Sequence, residues 1–167
     1  MTRWVLLLRA VNLGPRNKLA MADLRRVLED LGHGEVRTYL NSGNATFTSA
    51  RRGARALADD VEGRLLSELG LDVRAVVVST DDVAAMVEAV PAGLEGYVVV
   101  SVLFGAPDAA ALEELTRWEP EAVAPGEGCL YLAFPQVQGS KLTNALIEKR
   151  LGVATTARTP ATLRKLL

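Results

Sequence analysis

Two apolar runs frame this chain. Trp4 to Leu8, closed by Arg9, and Tyr97 to Phe104 are unbroken by the polar alternation of a half-exposed strand. Short continuous runs of this kind, bounded by turn formers, read as strands buried on both faces. The same succession of periods follows each one. After the first, Met21, Leu24, Val27, Leu28 and Leu31 share one helical face, and Gly32 and Gly34 stop the helix. Val36 to Leu40 and Ala45 to Phe47 then read as short strands around Asn41-Ser42-Gly43-Asn44, a turn signal. A helix from Ala54 to Leu69 carries Leu57, Val61, Leu65 and Leu69 and ends at Gly70, and Val73 to Val78 is a fourth strand.

After the second run, Pro107-Asp108 opens a helix bearing Leu112 and Leu115. Glu119 to Ala124 is a weak strand, Pro125 to Gly128 a turn, and Cys129 to Phe134 a strand. Leu142 to Leu151 reads as a helix with Ser140 as its cap, Val153 to Ala157 as a last strand and Ala161 to Leu167 as a closing helix. The expected fold is α+β, two consecutive βαββαβ ferredoxin-like halves. They span residues 1–79 and 97–167, the second with a C-terminal helix. A helical connector over 80–96 joins them, capped by Thr80 or Asp81 and faced by Val83, Met86, Val87 and Val90. The duplication rests on element order, since the halves share no residue-level identity.

Composition narrows the classes of function. With 19 Lys and Arg against 20 Asp and Glu, the net charge of -1 argues against a strongly basic nucleic-acid binder while leaving room for a local basic patch. One cysteine, Cys129, allows no internal disulfide and fits a reducing compartment. The N-terminal apolar run is shorter than a signal-peptide core and lacks a small-residue cleavage site. No apolar stretch approaches a membrane span. A cytoplasmic protein with no membrane partner is the expectation.

Metal and nucleophile chemistry fails on counting. His33 is the only histidine and lies between two glycines, where it reads as surface filler in a turn. One His and one Cys supply no zinc pattern, and Cys129 reads as a small residue of a strand. The pairs Asp59-Asp60 and Asp81-Asp82 offer carboxylates for Mg²⁺, but helix surface or capping explains both more simply. No catalytic motif and no cofactor is recognisable.

Three loops are richer. Arg9, Asn12, Asn17 and Lys18 lie in a segment joining a buried strand to a helix, where free backbone N–H groups favour an anion; ordinary turn and surface residues explain them more simply. Gly139-Ser140-Lys141-Leu142-Thr143-Asn144 also stands at a helix start. It is no P-loop, because Ser140 splits the Gly-Lys pair and the upstream glycine is missing. Ser42 and Asn44 lie in a polar hairpin turn, beside Thr38, Tyr39 and Asn41, and Thr155, Thr156 and Arg158 could join from the last segment. An RNA-recognition reading of βαββαβ would need aromatics on the middle strands. Trp4 and Phe47 are all the first half offers, and SGNATFT lacks the basic-Gly-aromatic pattern.

Three stretches, LLRAVNLGPRNKLAMADLRRVLEDLG, VRTYLNSGNATF and GSKLTNALIEKRLGVATTAR, together resemble the bacterial domain-of-unknown-function family numbered 1697. The resemblance implies a tandem ferredoxin-like α+β fold and names no activity. Pro15 stands where members tend to carry a second Gly, and Thr159-Pro160-Ala161 where they tend to carry Asn-Trp-Asn. The expected function is binding of a small anionic ligand, such as a nucleotide, by Arg9, Asn12, Asn17, Lys18, Ser42, Asn44, Ser140, Lys141, Asn144 and Arg158. The alternatives are nucleic-acid binding along the same residues and a homodimeric interaction protein without ligand.

Overall fold

The computed structural model describes residues 1–167. The chain divides into two compact units, Met1–Val83 with Lys165–Leu167, and Ala84–Arg164. The division falls inside a helix.

The first unit runs β1 (Thr2–Leu8), α1 (Met21–Asp30), β2 (Gly34–Tyr39), β3 (Asn44–Ser49), α2 (Ala54–Leu69) and β4 (Ala75–Ser79). Its four strands form one antiparallel sheet in the order β2-β3-β1-β4. The apolar run is the central strand: Leu6 pairs with Ala45 on one side and Val77 on the other. Trp4, Leu6 and Leu8 point with Ala45, Phe47, Ala75 and Val77 to the face that receives Leu24, Val27 and Leu28 of α1 and Leu57, Val61 and Leu65 of α2. Val5 and Leu7, on the opposite face, are equally buried. Burial on both faces is why the run is continuous. Each such side chain contributes about 1.5–3 kcal/mol of transfer free energy.

Helix α3 (Thr80–Glu88) follows β4 without a loop. Its cap is Ser79 rather than Thr80 or Asp81. The Ser79 hydroxyl accepts from the Asp82 N–H (3.1 Å) and donates to the Asp82 carboxylate (2.8 Å), a reciprocal capping arrangement.

The second unit repeats the order with β5 (Tyr97–Leu103), α4 (Ala109–Leu115), β6 (Ala122–Pro125), β7 (Cys129–Phe134), α5 (Asn144–Leu151) and β8 (Thr155–Arg158), and adds α6 (Pro160–Arg164). The sheet order is β6-β7-β5-β8, again antiparallel throughout. Val99, Leu103, Leu130 and Leu132 form its helix-side core with Leu115, Ile147 and Leu151. Both sheets therefore carry the first strand of their half beside the last, with the third strand on the other side.

Sequence expectations also fail at the start of α5 and at His33. Ser140 does not cap α5; Thr143 does, its hydroxyl accepting from the Leu146 N–H at 3.2 Å. Leu142, expected inside the helix, instead precedes the cap and enters the same core as Ile147, a hydrophobic staple across the helix start. His33 is not on the surface but only 7% exposed, its ring stacked on Phe47 at 4.5 Å. The reason is the helix end: the Gly32 N–H donates to the Glu29 carbonyl and the His33 N–H to the Leu28 carbonyl, with Gly32 at φ 86°. This is a Schellman end, which turns the second residue past the cap back onto the helix's apolar side.

The buried His33 makes the first unit acid-sensitive. Burial, then the nearby Arg51 cation, pull its pKa below the ordinary 6.5, and Asp60 opposes them weakly. The native state thus takes up the proton at lower pH than the unfolded chain does. Stability is complete above about pH 6.5 and falls as pH drops from there through the depressed native value, by at most about 1.4 kcal/mol per pH unit. Urea denaturation at pH 7.5 and 5.5 is expected to show a smaller loss in His33→Phe than in the parent.

Candidate functional site

The first unit brings two of the three loops together. Arg9 leaves β1 with its N–H donating to the Arg74 carbonyl (2.9 Å), while the Leu8 N–H donates to the Gly43 carbonyl (2.8 Å). Gly43, at φ 84°, presses so close that a Cβ there would lie 2.7 Å from Val11 Cγ2 and 2.8 Å from Leu8 Cβ. The turn after β2 therefore sits directly against the segment after β1, and glycine is required at the contact.

Asn12 joins them. Its amide Nδ2 donates to the Leu19 carbonyl (2.8 Å) and the Asn41 carbonyl (2.7 Å), and its Oδ1 accepts from the Leu19 N–H (2.9 Å). The Asn12 N–H donates to the Asn17 carbonyl at 3.1 Å. The segment is thereby folded into a closed loop that delivers Lys18 and Leu19 to the start of α1. Ala10, Asn12, Asn17 and, in the neighbouring turn, Leu40 all have φ between 52° and 59°. Left-handed backbone at residues other than glycine costs free energy and gathers where a loop's shape matters more than its stability.

Asn12, Lys18, Leu19, Ala20 and Asn41 line an open concavity of about 410 Å³. It lies at the N-terminus of α1, where Ala20 occupies the cap position and no side chain accepts from the helix's first N–H groups. Residues 9–20 include Arg9, Arg16 and Lys18 and no carboxylate. Asp23 is the acid of the first turn of α1, while acids of α2 are paired with arginines: Glu68 with Arg26 and Arg64, Asp60 with Arg51, Asp59 with Arg55. A cation and an uncapped helix end are elements of an anion site.

The predicted amides are braces. Both donor hydrogens of Asn12 are used as described. Asn44 is fully buried, and its Nδ2 donates to the Tyr39 carbonyl and the Ser42 hydroxyl, each at 2.8 Å. Asn17 shapes the loop through its carbonyl and its left-handed backbone.

Ser140, Lys141, Asn144 and Arg158 belong to the second unit. The Ser140 hydroxyl donates to Glu121 Oε1 (2.5 Å) and accepts from the Leu142 N–H (3.2 Å). Glu121 is buried and also accepts from Trp118 Nε1 at 2.9 Å. These hydrogen bonds, that from Ser140 foremost, hold its carboxyl below the ordinary range, so it stays ionised. Asn144 is tied to β8, accepting from the Thr155 hydroxyl (2.5 Å) and donating to Glu148 Oε1 (2.9 Å). Arg158 donates to the Thr156 hydroxyl (2.8 Å) and the Ala157 carbonyl (2.9 Å), and burial pulls its guanidinium down to about 10. Lys141 is exposed.

Sequence reasoning missed Glu121, which nothing separates from the surface acids around it, and Ala20. The latter was legible: no Ser, Thr, Asp or Asn stands immediately before Met21. The rings an RNA-recognition module would offer, Trp4 and Phe47, are in the helix-side core and present no face for stacking.

Comparison with known proteins places the chain. The family model described as "Protein of unknown function (DUF1697)" matches residues 1–131. The chain belongs to this family. The matched span contains the whole β1–α1 segment and the Asn41–Asn44 turn that together form the concavity. Among solved structures, the conserved bacterial protein SP0830 from Streptococcus pneumoniae is similar, at 25% identity and a TM-score of 0.76, over 99% of this chain and 96% of that one. No curated protein matches. No helix is long and apolar enough to cross a membrane.

Proposed function

We propose that this DUF1697 member binds a small anion, a phosphate or carboxylate group, in the concavity of its first unit, on a tandem of ferredoxin-like halves. The β2-β3-β1-β4 and β6-β7-β5-β8 orders support the fold reading. The observation that carries the functional one is that Lys18 and the uncapped start of α1 line the same hollow. The lysine supplies a point charge, the backbone N–H groups of the first turn supply directed donors, and Asn12 and Asn41 hold the rim through their mutual hydrogen bond. The volume of about 410 Å³ suits a small metabolite. The reading is one of binding.

Thermal denaturation in rising orthophosphate tests this. A ligand at a hundredfold excess over its Kd stabilises by about 2.7 kcal/mol. The melting temperature is expected to rise with orthophosphate beyond its rise in matched sodium chloride, and Lys18→Ala to remove the difference. An equal rise in Lys18→Ala, or none in the parent, rejects the site.

A further inference from the structure

We propose that the corner between α1 and β2 is a proton-operated latch: protonation of His33 frees its ring from Phe47 and lets residues 31–36 swing outward while the rest of the first unit stays folded. The neutral ring is the catch. It is stacked on Phe47, and its Nε2 is buried without a hydrogen-bond partner. Protonation puts a hydrogen on both ring nitrogens, so Nε2 becomes a charged donor where nothing accepts from it. A charged group left buried and unpaired costs more than a neutral one. The surroundings do not relieve that cost. Arg51, between β3 and α2, and Asp60, in α2, are the charges that bear on the ring; Arg51 has the larger influence, and the two are already paired with each other. Phe47 of β3 is uncharged, and Glu29, Asp30 and Glu35, near His33 along the chain, are exposed.

The backbone on either side of the ring is loosely held. Gly32 and Gly34 flank His33, the first at φ 86°. Pairing of β2 with β3 begins at Gly34, opposite Thr48, and is then interrupted until Arg37 meets Thr46. Glu35 lies inside the interruption with φ 48°, left-handed backbone at a residue that disfavours it. On the other side, past the last turn of α1, the corner is tied by two hydrogen bonds, from the Gly32 N–H to the Glu29 carbonyl (2.9 Å) and from the His33 N–H to the Leu28 carbonyl (3.2 Å). A short stretch with a glycine and a break in the ladder can change its φ and ψ without dragging the sheet along. The stacked ring is what keeps it closed.

Amide hydrogen exchange of the full chain, followed by NMR as pH is lowered from neutrality, tests this, with the His33 Cε1–H shift reporting protonation of the ring. The released ring takes the proton more readily than the buried one, so acid favours the open corner. Protection at the Gly32 and His33 amides, relative to an unstructured chain, is expected to hold above about pH 6.5. Below that it should fall by up to about tenfold per pH unit until the buried ring is itself protonated. Amides of the central strand β1 should keep their protection throughout. Arg51→Met keeps the aliphatic stem and removes the cation, and should shrink the fall. His33→Phe keeps a ring on Phe47 with nothing to protonate, and should abolish it. Loss of protection at the two amides only in step with β1 overturns the latch, for the unit then unfolds whole. So does a ring that titrates while both amides stay protected, and so does an undiminished fall in either variant.

Discussion

Gly96→Ala is expected to cost the second unit more than about 3 kcal/mol. Gly96 precedes β5 and lies over the end of β7, where Tyr97 pairs with Phe134. A Cβ on Gly96 would stand 2.2 Å from the Phe134 carbonyl oxygen, 2.8 Å from its carbon and 2.9 Å from Pro135 Cα. All three are backbone atoms of a paired strand and its exit, so relief requires β5 and β7 to separate rather than a side chain to swing away. The backbone at φ 86° adds its own penalty. Gly93 is the control: its φ is 84°, yet nothing lies within 4 Å of an added Cβ, so Gly93→Ala carries only the conformational cost, about 1 kcal/mol. Trp118 reports on this unit, and its fluorescence in urea, read in a Trp4→Phe background, should show a far lower midpoint for the Gly96 variant than for the Gly93 variant. Similar midpoints would mean that the two strands part easily at this end.

Asn12→Asp is expected to destabilise the first unit by about 3 kcal/mol and to remove the hollow as a site. The change keeps the shape of the side chain and its tolerance of the left-handed backbone, so the loss isolates hydrogen bonding. Nδ2 now donates to two carbonyl oxygens at 2.7 and 2.8 Å. A carboxylate oxygen in its place donates nothing and repels both. It also puts negative charge on the wall where the anion is proposed to sit. Asn12→Ala separates these effects: it forfeits the same bonds without the charge and should lose less. Hydrogen exchange at the Leu19 amide, which donates to Asn12 Oδ1 at 2.9 Å, gives the local reading. Continued protection there in Asn12→Ala would show that the loop holds its form without the side chain.

The architecture was legible because it is written in periodicity. Helix α2 and strand β7 have the bounds their residues imply, Ala54–Leu69 and Cys129–Phe134, since a glycine or a turn closes each. Helix starts were less legible. Ser79, Thr80 and Asp81 are all competent caps, as are Ser140 and Thr143, and only the position of the apolar face against its sheet selects one. His33 shows the same limit at a helix end: flanked by glycines it resembles a turn residue, and it is buried because Gly32 reverses the chain at the one point where Phe47 waits beneath.

The sequence by itself determined the repeated element order, the double burial of the central strands and the segment between Arg9 and Lys18 as the richest in cations and amides. Those follow from local pattern, which neighbours along the chain suffice to set. Only the tertiary structure decided what the polar residues do. Hydrogen bonds between Asn12 and Asn41, Ser140 and Glu121, and Asn144 and Thr155 join positions far apart in number. A side-chain amide reads identically in sequence whether its hydrogens face a ligand or are already spent on the backbone, because donor capacity is assigned by distance in space and not by order along the chain.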